Sequence, residues 1–253
     1  MNTREPLLLL HGVTMSAAVW NPVVPLLADR FDLMVPTAPG HRGGPSFSGR
    51  ATISALVDGF EEMLDARGLD TVHVAGNSMG GWLAIELARR GRARSVCALA
   101  PAGFWTVGAP DESRATGKVR TVRQRAILTR SVMPRLFRFG VVRRVVLRDA
   151  AEHADRLTHA QAVEGMQDIV GCTVADDLLA IKEQVAAFDP LPCPVTIAIS
   201  EKDRIFPPAV HEPIARERIP HARFVVLPGV GHVPMIDDPE LTAEVITQAV
   251  EVT

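Results

Sequence analysis

Val72-His73-Val74-Ala75-Gly76-Asn77-Ser78-Met79-Gly80-Gly81-Trp82 is the stretch around which the chain is organised. It reads as a strand, a tight turn and the start of a helix. The turn has the form G-x-S-x-G, with Ser78 at its apex. Such a turn holds a serine in a strained backbone conformation, so that its hydroxyl stands clear of the sheet at the head of a helix. Gly76 and Gly80 flank it because a side chain at either position would collide across the turn. The pattern by itself also occurs in ordinary loops. The rest of the chain must supply a base, an acid and oxyanion donors.

Outward from this stretch, strand and helix alternate. Leu7 to Leu10 is an apolar run that fits a strand buried on both faces. A helix is expected from about Val19 to Arg30, and a strand over Phe31 to Pro36. Thr37 to Pro45 is a loop dense in glycine and proline. Thr52 caps a helix to about Arg67, with Ile53, Leu56, Val57, Phe60 and Leu64 on one face. The Ser78 helix runs to about Arg90, and Val96 to Ala100 is a strand. The alternation breaks after Pro101. It resumes with a helix from Asp176 to Phe188, a strand Val195 to Ser200, a helix Pro208 to Arg218, a strand Arg223 to Leu227 and a helix Asp238 to Val250. This rhythm predicts an α/β fold with a mostly parallel sheet. Residues 1–103 and 172–253 form the core domain. Residues 104–171 are a helical insertion.

The composition bounds the rest. A chain of 253 residues is one large domain, or a domain with an insertion. The net charge of −2 by itself gives no reason to expect nucleic acid or a membrane as a partner. Three cysteines without C-x-x-C spacing argue against a disulfide framework or a zinc site, and for a reducing compartment. No leader-like or membrane-spanning run is present, so the expected location is cytoplasmic. The absence of tyrosine excludes a tyrosine acid or nucleophile. Charge is unevenly spread: Ser113 to Arg148 holds eleven Lys or Arg and no Asp or Glu, whereas the remainder carries 16 basic and 29 acidic side chains. Apolar residues interleave with the cations. A solvated helical face explains this pattern; a weak contact with an anionic surface or substrate explains it too.

A serine hydroxyl needs a general base. His232, in Gly231-His232-Val233-Pro234 just past the last strand, is the first choice among eight histidines, because reactive groups of parallel sheets gather beyond strand C-termini. His41 is the second. The base needs a carboxylate to hold its tautomer. Asp203, three residues after Ser200, is chosen over Glu201; Asp237 and Asp238 read as a helix cap. The order Ser78, Asp203, His232 is that of a nucleophile-elbow hydrolase. The oxyanion donors are assigned to the backbone N–H groups of Met79 and Val13.

With these residues in place the chain resembles the α/β-hydrolase superfamily, in its cap-bearing, esterase-like branch. The resemblance rests on His11-Gly12, Trp20, Pro39-Gly40-His41-Arg42-Gly43, Gly76-Asn77-Ser78-Met79-Gly80-Gly81, Asp203 with Pro207, and Gly231-His232-Val233-Pro234. It implies six parallel strands in the spatial order 2-1-3-4-5-6 without the usual leading antiparallel hairpin. It also implies a cap formed by the insertion, an acyl-enzyme on Ser78, and no metal or organic cofactor. The pocket is expected to include His11, Gly12, Asn77, Phe104 and Trp105. Thr37 stands where the family usually has aspartate, which implies a looser loop. The expected substrates are small to medium apolar esters or lactones. The alternatives are carbon–carbon hydrolysis of ring-fission diketones, a cofactor-free perhydrolase, or a ligand receptor that keeps the triad; the chain would act as a monomer or homodimer.

Overall fold

The computed structural model describes residues 4–251. Six strands form one sheet: β1 (Glu5–Leu10), β2 (Phe31–Met34), β3 (Val72–Asn77), β4 (Ala93–Leu99), β5 (Val195–Ser200) and β6 (Arg223–Leu227). Their spatial order is β2-β1-β3-β4-β5-β6, and every pairing is parallel. This is the expected order. β3 and β5 are buried at every residue. A parallel strand covered on both faces has no solvent side, which is why even the polar residues of these strands, His73, Asn77, Thr196 and Ser200, are buried.

The sheet divides the core in two. On β1, Leu8 and Leu10 pack with Leu56, Phe60 and Leu83 of two helices on one face. Leu7 and Leu9 point the other way, to Trp20, Leu27 and Ile246. The two-residue period of a strand thus sends neighbouring leucines to different layers.

The helices are α1 (Val24–Leu27), α2 (Ile53–Asp65), α3 (Met79–Arg89), α4 (Pro110–Thr129), α5 (Met133–Leu136), α6 (Gly140–Val146), α7 (His159–Gly171), α8 (Ala175–Leu179), α9 (Pro208–Arg218), α10 (Pro234–Asp237) and α11 (Pro239–Glu251). The Thr52 hydroxyl accepts from Ala55 N to start α2, as the sequence suggests. The apolar face of α2 is the expected one, Ile53, Leu56, Val57, Phe60 and Leu64.

Two helices differ from expectation. The single helix over Val19 to Arg30 is a 3-10 turn, Ala17–Trp20, followed by the short α1. Pro25 has no N–H to donate back toward Asn21, so a helix can only restart around it. The helix expected from Asp176 to Phe188 stops at Leu179. Leu178, Ile181, Val185 and Phe188 have helical spacing and are all buried, but beyond α8 the chain is irregular. Its carbonyls are satisfied from outside: Arg89 donates to Ala186 and Ala187, Arg218 to Val185, and Trp105 Nε1 to Glu183. External donors have replaced the helical hydrogen bonds, and the periodicity could not reveal them.

Between residues 104 and 171 lie α4 to α7, around a small core of Phe137, Ala162 and Met166. α4 packs on α7 and on α8. α7 opens with a capping box, Thr158 and Gln161 each bonding the other's backbone N–H.

Candidate active site

The turn after β3 is as tight as its glycines imply. A Cβ on Gly76 would lie 2.1 Å from the Gly80 carbonyl oxygen, and one on Gly80 would lie 2.2 Å from that of Leu10. Ser78 has φ 57° and ψ −117°. Its N–H donates to Leu99 O, and its carbonyl accepts from Gly81, Trp82 and Ala102. The strain is held by these four bonds. Thr14 and Ala100 are the other described non-glycine residues with positive φ. All three lie just past the C-terminal ends of β1, β3 and β4, so strain is concentrated at one edge of the sheet.

Two further loops arrive at that edge. Past β5, Asp203 is buried and its Oδ1 accepts from Ile205 N and Phe206 N, both at 2.8 Å. Its Oδ2 is 2.8 Å from His232 Nδ1. Past β6, His232 is also buried, its ring packed edge-on against Phe206 with centroids 4.9 Å apart. Asn77 Nδ2 donates to the His232 carbonyl at 2.9 Å, which ties the histidine loop to the residue before Ser78. With Nδ1–H given to the carboxylate, Nε2 is left as the proton acceptor. Ser78 and His232 line one cavity of about 170 Å³. Its wall is mostly apolar and includes Val13, Met15, Val19, Ile205 and Ile236, with Leu147, Met166 and Ile169 from the 104–171 segment. A second cavity of about 50 Å³ reaches Ser78 from the side of Trp82 and Trp105.

Val13 lines both cavities, and Met79 the smaller one. Met79 is the first residue of α3, where a backbone N–H has no intrahelical acceptor.

Of the residues expected in the pocket, few border these two cavities. His11, Asn77 and Phe104 line neither of these two cavities, and Gly12 sits beneath Ser78, where a Cβ would meet Ser78 Cβ at 3.2 Å. His11 is a tie between loops: Nδ1 is 2.8 Å from Gly12 O, and Nε2 accepts from Ala38 N at 2.9 Å. Burial, together with neighbouring His41, pushes its pKa down to about 3 and keeps it neutral. His41 is itself lowered by burial and faces Pro39 O, far from a role as base on this cavity. Phe104 is core, its carbonyl 2.7 Å from His211 Nδ1. Of the expected side chains, Trp105 is the one that lines either of the two cavities reaching Ser78, the smaller one.

Thr37 does not loosen its loop. Its Oγ1 accepts from Ala17 N at 3.0 Å, and Gly40, His41 and Gly44 close the following turn with backbone bonds.

Two buried carboxylates, Asp237 and Asp168, make contacts that the sequence does not signal. Asp237 is a hub rather than a helix cap; Asp238 alone caps α11, through Leu241 N. Asp237 accepts from Gly231 N (2.6 Å), Glu152 N (3.0 Å) and His153 N (2.6 Å), joining the histidine loop to the 104–171 segment. Asp168 of α7 borders the larger cavity and accepts from Ser16 Oγ at 2.6 Å and from Arg42 Nε at 2.7 Å. Each pairs residues more than 80 apart or joins a loop to a distant helix, which no local spacing can signal.

The Alpha/beta hydrolase family matches this chain over residues 7–245. The chain is similar to Epoxide hydrolase EphH of Mycobacterium tuberculosis, 31% identical over 202 residues, 78% of this chain and 94% of that protein. It is 28% identical over 267 residues to a Pimeloyl-(acyl-carrier protein) methyl ester esterase of Aromatoleum aromaticum, with 98% of each chain covered. Among solved structures, a thermophilic esterase from Thermogutta terrifontis superposes with a TM-score of 0.76 at 26% identity, covering 99% of this chain and 90% of that one.

Proposed function

The chain belongs to the alpha/beta hydrolase family, and on that premise we propose that it is a serine hydrolase of carboxylic esters in which Ser78, His232 and Asp203 form the catalytic triad. Esterases and lipases among its relatives support an ester-hydrolysing enzyme. The observation that carries the triad is the 2.8 Å contact between buried His232 Nδ1 and Asp203 Oδ2, with His232 and Ser78 bordering one cavity.

In this reading His232 Nε2 takes the proton of Ser78 as Oγ attacks the ester carbonyl. The tetrahedral oxyanion is received by the Met79 and Val13 N–H groups, a contribution of about 3 kcal/mol for each donor. The imidazolium then protonates the leaving alcohol. Water, deprotonated by the same nitrogen, releases the acid from the acyl-enzyme and restores Ser78. Asp203 keeps Nδ1 protonated and balances the imidazolium charge. No step calls on a metal or organic cofactor. Segment 104–171 acts as the cap, and the apolar wall it shares selects small to medium apolar esters or lactones. A cytoplasmic location and weak contact of the basic segment with an anionic surface complete the reading.

The name of the epoxide hydrolase relative does not transfer with the fold. A serine oxygen that opened an epoxide would leave an ether on the enzyme, and water does not hydrolyse an ether under these conditions. A carbonyl substrate leaves a hydrolysable ester.

A fluorophosphonate probe tests the proposal. Wild type should be labelled and Ser78→Ala should not, with p-nitrophenyl ester turnover lost in parallel. A folded wild type that stays unlabelled would sink it.

A further inference from the structure

Among the described residues, eleven large hydrophobic side chains are exposed, and seven of them fall between residues 128 and 146. Leu128 is 81% exposed and Val141 76%. The same stretch and its flanks carry six exposed arginines: Arg125, Arg130, Arg135, Arg138, Arg144 and Arg148. Of the eleven cations between Ser113 and Arg148, Arg123 is the one that forms an ion pair among the described residues, with Asp176. The other ten make no ion pair among the described residues. On α6 and just beyond it, exposed Val141, Arg144, Val145 and Arg148 recur at i, i+3, i+4 and i+7, one face of a helix, while Val142 and Leu147 turn inward. Arg138 lies over the ring of exposed Phe139 at 4.5 Å.

We propose that the face formed by residues 125–148 docks on an anionic phospholipid surface, and that the cavity beside Ser78 opens toward it. Charge selects the occupant. Uncompensated arginines on an otherwise acidic chain match phosphate headgroups. The interleaved apolar side chains select lipid over a merely acidic protein: at a bilayer interface arginines meet headgroups while Val, Leu and Phe enter the acyl boundary. Val146 connects the two sites, since it is 39% exposed and also lines the larger cavity. An ester held in the surface would then reach Ser78 past Val146. That last step rests on the esterase reading; the docking does not.

Vesicle co-sedimentation of Ser78→Ala, which cannot turn over lipid, tests the docking. Vesicles of three parts phosphatidylcholine to one part phosphatidylglycerol should pellet it at about 0.1 M salt and release it at about 1 M, where screening is within a few ångströms. Pure phosphatidylcholine should pellet little. Arg138→Glu/Arg144→Glu/Arg148→Glu should weaken the partition at least tenfold, and Val141→Ser/Val145→Ser severalfold, with unchanged circular dichroism. Undiminished pelleting of the charge-reversal variant, or no pelleting by anionic vesicles, would overturn the proposal. So would binding to polyglutamate without vesicle binding, which assigns the face to an acidic protein. The same variants placed on the active enzyme should hydrolyse soluble p-nitrophenyl acetate at the wild-type rate. Vesicle binding by a wild type that is inert to every ester would uphold the docking and refute the esterase reading separately.

Discussion

The Ser78 turn and the 104–171 segment lie against one cavity, yet they are built on opposite principles. Around Ser78 every residue from Val72 to Ile85 is buried, and a Cβ at Gly76 or Gly80 would stand closer than 2.5 Å to a backbone carbonyl oxygen. In the segment, the small core is three buried residues, and long stretches of α4 to α6 face outward. Steric closure leaves the turn almost no freedom of sequence. The segment is held by a few polar pins and leaves its surface free to vary. Packing thus fixes the turn that carries Ser78, while the cavity wall supplied by the segment is constrained loosely.

Four substitutions or conditions would break or sharpen that contrast. Gly80→Ala should be the most damaging, because the new Cβ meets immobile backbone; a loss of about 4 kcal/mol or more, or failure to fold, is expected in urea denaturation. A stable, active variant would show that the turn has slack. Asp237→Ala should come next. It leaves one buried and two half-buried N–H groups without an acceptor and costs about 3 kcal/mol. Its kcat should fall further than KM rises if the histidine loop shifts.

Acid should act on the core side of the contrast. The folded pKa of His11 is about 3, below its ordinary 6.5. Between these values the unfolded chain binds a proton that the native state excludes. Stability is therefore full above about pH 6.5 and falls as pH drops toward 3, by up to about 1.4 kcal/mol per pH unit for this group. His41, also lowered, adds in the same direction. The urea midpoint should be lower at pH 5 than at pH 7.5, and His11→Gln should flatten the difference. An unchanged midpoint would contradict the buried neutral ring. Smallest of all, Leu128→Ser on the exposed face of α4 should change stability by no more than about 0.5 kcal/mol. A larger loss would mean that the segment's surface is packed rather than free.

Much of this architecture was legible in advance. The six strands followed from apolar runs alternating with helical patterns, their spatial order from the family resemblance, and Ser78, Asp203 and His232 each fell just past a strand end. Helix α2 was readable down to its Thr52 cap because both signals are local. Residues 180–188 were not, because Ile181, Val185 and Phe188 bury at helical intervals while Arg89, Arg218 and Trp105 supply the hydrogen bonds from elsewhere. The loop tie made by His11 was hidden for a related reason: its partner Ala38 N is 27 residues away.

Along the chain, local chemistry encodes strand and helix periods, a turn that tolerates only glycine at its flanks, and the order in which Ser78, Asp203 and His232 follow strand ends. Only the tertiary structure decided which buried polar groups meet. Asp237 joins the histidine loop to residues 152 and 153, and Asp168 joins α7 to Ser16 and Arg42. Such contacts depend on where distant segments come to rest, and an unpaired buried carboxylate is costly enough that the fold must find it partners. No spacing along the chain records which ones.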